Sequence, residues 1–172
     1  MNLRETILGE HSKAQCKKIV NWVGSSEKRF DELFNLFLHD EYRVVQRAAW
    51  PVSYCVQAHP MFIKKHFGSL LNNLQKPGIH NAVKRNTVRL LQTVDIPKKW
   101  QGRVMDTCFQ YISDPQEKVA VKAFSLTILS RLALQYPEIV PEIALILEDQ
   151  LPCQTAAFKV RAKQFLKAIK PA

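Results

Sequence analysis

At 172 residues, 47% of them hydrophobic and only five of them glycine, the chain has the length of one domain (1–172) and enough apolar material for a core without metal or disulfide staples. That content excludes a disordered chain, and the scarcity of glycine favours long helices and short turns over strands and hairpins. A net charge of +10, with a pI near 9.6, makes polyanions the natural partners through the summed field.

In chain order, Leu3 to Gly9 reads as a short helical opening. His11 to Val23 is a second helix, with Ala14, Ile19, Val20 and Val23 at helical spacing. Gly24 ends it, and Ser25 or Ser26 caps the next, Glu27 to Leu38, which puts Phe30, Leu33, Phe34, Phe37 and Leu38 on one buried face. Asp40 opens a helix reaching Gln57, with a kink expected at Pro51, which has no amide hydrogen for Arg47's carbonyl. Met61 to Leu74 turns Phe62, Ile63, Phe67, Leu70, Leu71 and Leu74 inward, and Lys76-Pro77-Gly78 is a turn.

Ile79 to Val94 follows, then a helix from Pro97 carrying Trp100, Val104, Met105, Cys108, Phe109 and Ile112. At the junction SDPQE, Asp114 is expected to cap, Pro115 to take the first helical position and Glu117 to close a capping box, opening a helix to Leu134. Glu138 to Leu151 and Gln154 to Ile169 complete ten helices in five antiparallel pairs, with hairpins at 3–23, 27–58, 61–94, 97–134 and 138–170.

The pairs repeat. With Val45 as apolar anchor, counterparts fall at Val83, Val119 and Phe158, spaced 38, 36 and 39 residues apart, each four residues before Ala49, Thr87, Ala123 or Ala162. Helical hairpins stacked at this period form a solenoid. The pattern of Asp, then Val five on, then Ala nine on (Asp40, Val45, Ala49; Asp114, Val119, Ala123) resembles HEAT repeats of the armadillo-like superfamily over about Glu27 to Ala172. It departs from them after the valine, where Gln46, Lys84, Ala120 and Lys159 stand in place of the frequent arginine. The resemblance implies an all-α, right-handed superhelix of about five hairpins, with the second helix of each pair lining the concave side.

Those second helices are basic. From Tyr42 to Val94 there are 53 residues without Asp or Glu but with eight bases, and after Asp149 Lys159, Arg161, Lys163, Lys167 and Lys170 meet no acid. Arg43, Arg47, Trp50 and Tyr54 form one stripe opposite Val45, Ala48, Ala49, Val52 and Val56, and Lys84, Arg85, Arg89 and Gln92 lie on the corresponding helix next door. Lys118 and Lys122 are expected to extend the stripe. Arginines interleaved with aromatics suit phosphates or carboxylates held by charge and rings stacked on Trp50 and Tyr54. The expected role is thus a non-catalytic module for an acidic protein segment or a nucleic-acid backbone. The same pattern also fits a solvated face whose Trp50 and Tyr54 seal the seam between repeats, or a structural subunit that depends on a partner.

Catalytic signatures are sparse. The architecture is also similar to that of HEAT-like DNA glycosylases that remove alkylated purines, which implies a carboxylate beside a tryptophan. Trp22, Trp50 and Trp100 are the candidate tryptophans, and Asp95 and Asp106 the nearest acids, whereas the inner helices carry none beyond their first turns. Cys16, Cys55, Cys108 and Cys153 lie far apart and read as small buried hydrophobes, not as a zinc set or a disulfide framework. His59 and His66 lack further ligands, and no Gly-rich phosphate loop or Gly-x-Ser-x-Gly elbow occurs, so no metal and no cofactor are expected. The opening MNLRETILGEHSK has no apolar run, and the longest apolar stretches fall short of the ~20 residues that span a bilayer, so a cytoplasmic location without membrane contact is expected.

Overall fold

The computed structural model describes residues 1–169; Lys170, Pro171 and Ala172, on which the last predicted hairpin ends, and the side chains of Cys153, Ala157 and Ile169 lie outside that description. The described residues are all-helical, with no strand. The α-helices are α1 (Leu3–Gly9), α2 (Lys13–Val23), α3 (Glu27–His39), α4 (Tyr42–Ala58), α5 (Phe67–Leu74), α6 (Asn81–Leu91), α7 (Lys98–Ser113), α8 (Val119–Leu132), α9 (Val140–Gln150) and α10 (Ala156–Ile169). They group into two compact units, Met1–Asp95 and Ile96–Ala172.

In the first unit α4 is the central element, packed on α1, α2, α3 and α6. Its neighbours are built as the sequence implies. Ser26 accepts the Arg29 amide at 3.4 Å to start α3, whose Phe30, Leu33, Phe34, Phe37 and Leu38 are all buried. Gly24, at φ 51°, ends α2 with its N–H on the Val20 carbonyl. That left-handed backbone is open to glycine at little cost. α4 continues through Pro51, which is buried inside it. In the second unit α8 packs on α7 and α10.

Several expectations need correction. Met61 to Leu74 is not one helix: Pro60–His66 is a 3-10 turn preceding α5. There Asp31 of α3 takes Lys65 Nζ at 2.8 Å and His66 Nε2 at 2.7 Å, which fastens the turn to α3. Asp114 does not cap α8. It ends α7, and its Oδ1 accepts the Gln116 amide at 2.8 Å, a local turn that delays α8 until Val119. In α2, Cys16 is buried and Ala14 exposed.

The repeat register also shifts. Val83 and Phe158 are buried, but Val45 and Val119 are half-exposed and Val44 and Val121 take their places inside. By contrast Ala49, Thr87, Ala123 and Ala162 are all buried. Small residues mark where helices approach closely, and they hold the register better than the branched ones.

Candidate functional site

Burial of one side of each second helix in the first unit leaves a defined polar side. In α2, Cys16, Ile19 and Val23 face inward, so Lys13 and Lys17, one turn apart, are exposed and Val20 is half-exposed. In α4, Val44, Ala48, Ala49, Val52, Cys55 and Val56 are buried. Arg43 is therefore exposed, and Arg47, Trp50 and Tyr54 half-buried. In α6 the buried set is Val83, Asn86, Thr87, Val88, Leu90 and Leu91, with Arg85 exposed and Lys84 and Arg89 half-buried. A buried hydrogen bond from Ser53 to Asn86 Oδ1, at 3.3 Å, ties α4 to α6.

The aromatic pair lies at the middle of this side. Trp50 and Tyr54 ring centroids are 6.4 Å apart, and His11 meets Trp50 edge-on at 5.8 Å. Arg89 sits over the Tyr54 ring, 4.7 Å from its centroid, and donates to the phenol oxygen at 3.1 Å. That hydrogen bond, and after it one from Trp50, holds the Tyr54 ionisation below the ordinary tyrosine value. Between α2 and α4 opens a pocket of about 280 Å³, lined by Lys13, Cys16, Lys17, Val20, Trp50 and Tyr54. Burial pushes the Cys16 thiol up to about 11, so at neutral pH it is a protonated thiol rather than a nucleophile.

Arg47 is engaged within the fold. Its Nη1 donates to the Leu8 carbonyl at 2.7 Å and to that of Ile7 at 3.3 Å, satisfying acceptors left open at the end of α1. Arg4 of α1 is in turn bound to Asp40 at 3.0 Å. Beside Arg47 a crevice of about 10 Å³, the volume of about one water, is shared by Glu10, His11 and Trp50.

Of the residues expected on the stripe, Arg43, Arg47, Trp50, Tyr54, Lys84, Arg85 and Arg89 all belong to the first unit, and Lys118 and Lys122 to the second. Lys118 is exposed, at the start of α8. Lys122 is not a surface residue: it is 0% exposed, and its Nζ donates to Gln150 Oε1 at 2.8 Å. Burial lowers its pKa below the ordinary lysine value, partly offset by the charges of Asp114 and Glu117. The register explains the error. Counted from the small repeat residue, Lys122 stands one position before Ala123, as Ala48 and Asn86 stand before Ala49 and Thr87, and all three are buried.

The expected stripe does not include Lys13 and Lys17: their spacing on the polar side of α2 is visible in the sequence, but an apolar pattern through Ala14 and Val20 leaves no place for a pocket. Among the described residues no three His, Cys, Asp or Glu are grouped to hold a metal, and no helix is long and apolar enough to cross a membrane. Cys16, Cys55 and Cys108 are buried and free. A family model described as a HEAT repeat domain matches residues 3–169. No curated protein and no solved structure matches the chain.

Proposed function

The chain belongs to the HEAT repeat family, and we propose that it works as a non-catalytic binding module whose basic second-helix face receives an acidic protein segment or a nucleic-acid backbone. One observation carries this reading: α2, α4 and α6 expose Lys13, Lys17, Arg43 and Arg85 around Trp50 and Tyr54, and none of the three helices contains Asp or Glu. Among the described residues those four cations have no carboxylate partner. Arg47 and Arg89 hold the wall in shape, and Lys84 lies within it. The proposal takes the family's right-handed stack of about five hairpins as its frame, with this side concave, and a cytoplasmic setting.

A glycosylase acting on alkylated bases needs a carboxylate beside its tryptophan. Glu10 shares with Trp50 only the 10 Å³ crevice, and Asp95 and Asp106 are exposed acids outside α2, α4 and α6, so no observation favours that alternative.

The test uses polyglutamate and a single-stranded oligonucleotide in a salt series. Binding of either should weaken linearly in log affinity with log salt, as counterion release demands. The double reversal Arg43→Glu, Arg85→Glu should cost at least about tenfold in affinity with helicity intact, since both side chains are exposed. Unchanged affinity in that variant, or no binding of either probe at low salt, would remove the proposal.

A further inference from the structure

We propose that the pocket between α2 and α4 receives one aliphatic or aromatic side chain of an acidic peptide segment, whose flanking carboxylates pair with Lys13 and Lys17. This rests on the reading of the basic face given above and adds its partner and its point of attachment.

Three features select this occupant. The first is size. An apolar cavity of about 150 Å³ accommodates a benzene ring, and pockets for free-standing small ligands run from about 300 to 1,000 Å³. At about 280 Å³ the pocket suits one large side chain. Anchors of that kind, seated in a pocket and ringed by polar contacts, dominate many protein interfaces.

The second feature is polarity. The lining side chains offer as acceptors the Tyr54 oxygen, which already takes a hydrogen bond from Arg89, and the weakly accepting Cys16 sulfur. A nucleobase presents both donors and acceptors on its edges, and its donors would be buried here without partners. A leucine or phenylalanine side chain leaves nothing unsatisfied.

The third is the kind of charge. Lys13 and Lys17 stand one helical turn apart at the pocket, both exposed and without a carboxylate partner among the described residues. Compact ammonium groups pair well with single carboxylates. The arginines best placed to grip a phosphate with two parallel hydrogen bonds, Arg47 and Arg89, already direct guanidinium N–H groups to the α1 carbonyls and to Tyr54.

The experiment compares three labelled probes on the full chain by fluorescence anisotropy: an acidic peptide with one central Phe, the same peptide with Ala in its place, and a single-stranded oligonucleotide of equal charge. The Phe peptide should bind about tenfold or more tighter than the Ala peptide, the scale set by burying one large apolar side chain. Val20→Phe, which fills the pocket from α2, should bring that ratio to about one, and Lys13→Glu with Lys17→Glu should weaken both peptides. Circular dichroism of each variant verifies the fold. Equal binding of the two peptides to the wild type, lost on the lysine reversals, overturns the pocket inference and leaves the basic face standing. Tighter binding of the oligonucleotide than of the Phe peptide overturns the choice of partner, again with the face intact. No binding of any probe at low salt overturns both.

Discussion

The two units place their lysines and arginines by the same helical geometry and reach opposite results. On α4 the positions two before and one after the small residue Ala49 are Arg47 and Trp50, both half-exposed. On α8 the corresponding positions around Ala123 are Val121, which is buried, and Phe124, which Arg161 covers with its guanidinium 5.3 Å from the ring centroid. The polar wall is thus a property of the first unit. On α8, Lys122 falls where α4 has Ala48 and is sealed inside. A one-residue offset, about 100° around a helix, separates the half-exposed Arg47 from the buried Lys122.

The sharpest way to break this contrast is at Lys122. Gln150 Oε1 accepts from its ammonium, while Gln150 Nε2 donates to the Ile112 carbonyl at 2.7 Å. Gln150→Leu should therefore cost about 3 kcal/mol, because a buried charge loses its partner and the end of α7 loses a donor. Lys122→Met should be neutral or stabilising, since Gln150 Oε1 keeps the Gln154 amide at 3.2 Å. Urea unfolding of the two variants decides it, and a larger loss for Lys122→Met than for Gln150→Leu would refute the account. The pH dependence has a definite sign. The folded pKa lies below the unfolded value of 10.5, so below it both states hold the proton and the penalty is complete. As pH rises through the folded pKa the unfolded chain binds more protons, and stability rises. The gap between wild type and Lys122→Met should narrow toward pH 10.5.

The helices themselves were legible because each has one apolar face at a 3.6-residue period; all five inward residues assigned to α3, and all six assigned to Met61–Leu74, are buried. Starts were less legible where a local side-chain bond competes with helix, as Asp114 does by turning the chain at Gln116. The polar side was legible on α4, where Ala48, Ala49, Val52 and Val56 are buried opposite it, although Val45 of the expected core is half-exposed. It was misread on α8, where apolar residues occur almost all round and no face is marked. On α2 the half-apolar side chains belong to a pocket, and periodicity cannot tell a pocket wall from a core.

Within the first unit, the engaged and the free arginine of α4 should also differ. Arg47→Ala removes a charge-assisted donor from the Ile7 and Leu8 carbonyls and should cost about 1–2 kcal/mol. Hydrogen exchange should quicken in the last turn of α1, whose Ile7 and Leu8 carbonyls lose this donor. Arg43→Ala, exposed, should stay within about 0.5 kcal/mol of the wild type. Equal effects from the two would mean that Arg47 is no more structural than Arg43.

The smallest effect belongs to Tyr54, and its sign is the most informative part. At pH 7 the phenol is neutral in both states and merely accepts from Arg89, so Tyr54→Phe should cost under about 1 kcal/mol while the ring keeps its cation. The folded phenol ionises below the ordinary value of 10.0, chiefly through Arg89. As pH rises through that lowered value the native state releases its proton first, the unfolded chain binds more protons, and the stabilisation due to Tyr54 grows until the unfolded phenol also ionises. The gap between wild type and Tyr54→Phe should therefore widen with alkaline pH. Lys122→Met runs the other way, because wild-type Lys122 is penalised while charged and the penalty lifts as the proton leaves. Denaturant curves for both variants over one alkaline series separate a cation that serves the surface, Arg89 beneath solvent and over Tyr54, from one that the core confines. A gap for Tyr54→Phe that stayed flat would mean that the Arg89 hydrogen bond seen over the ring does not persist in solution.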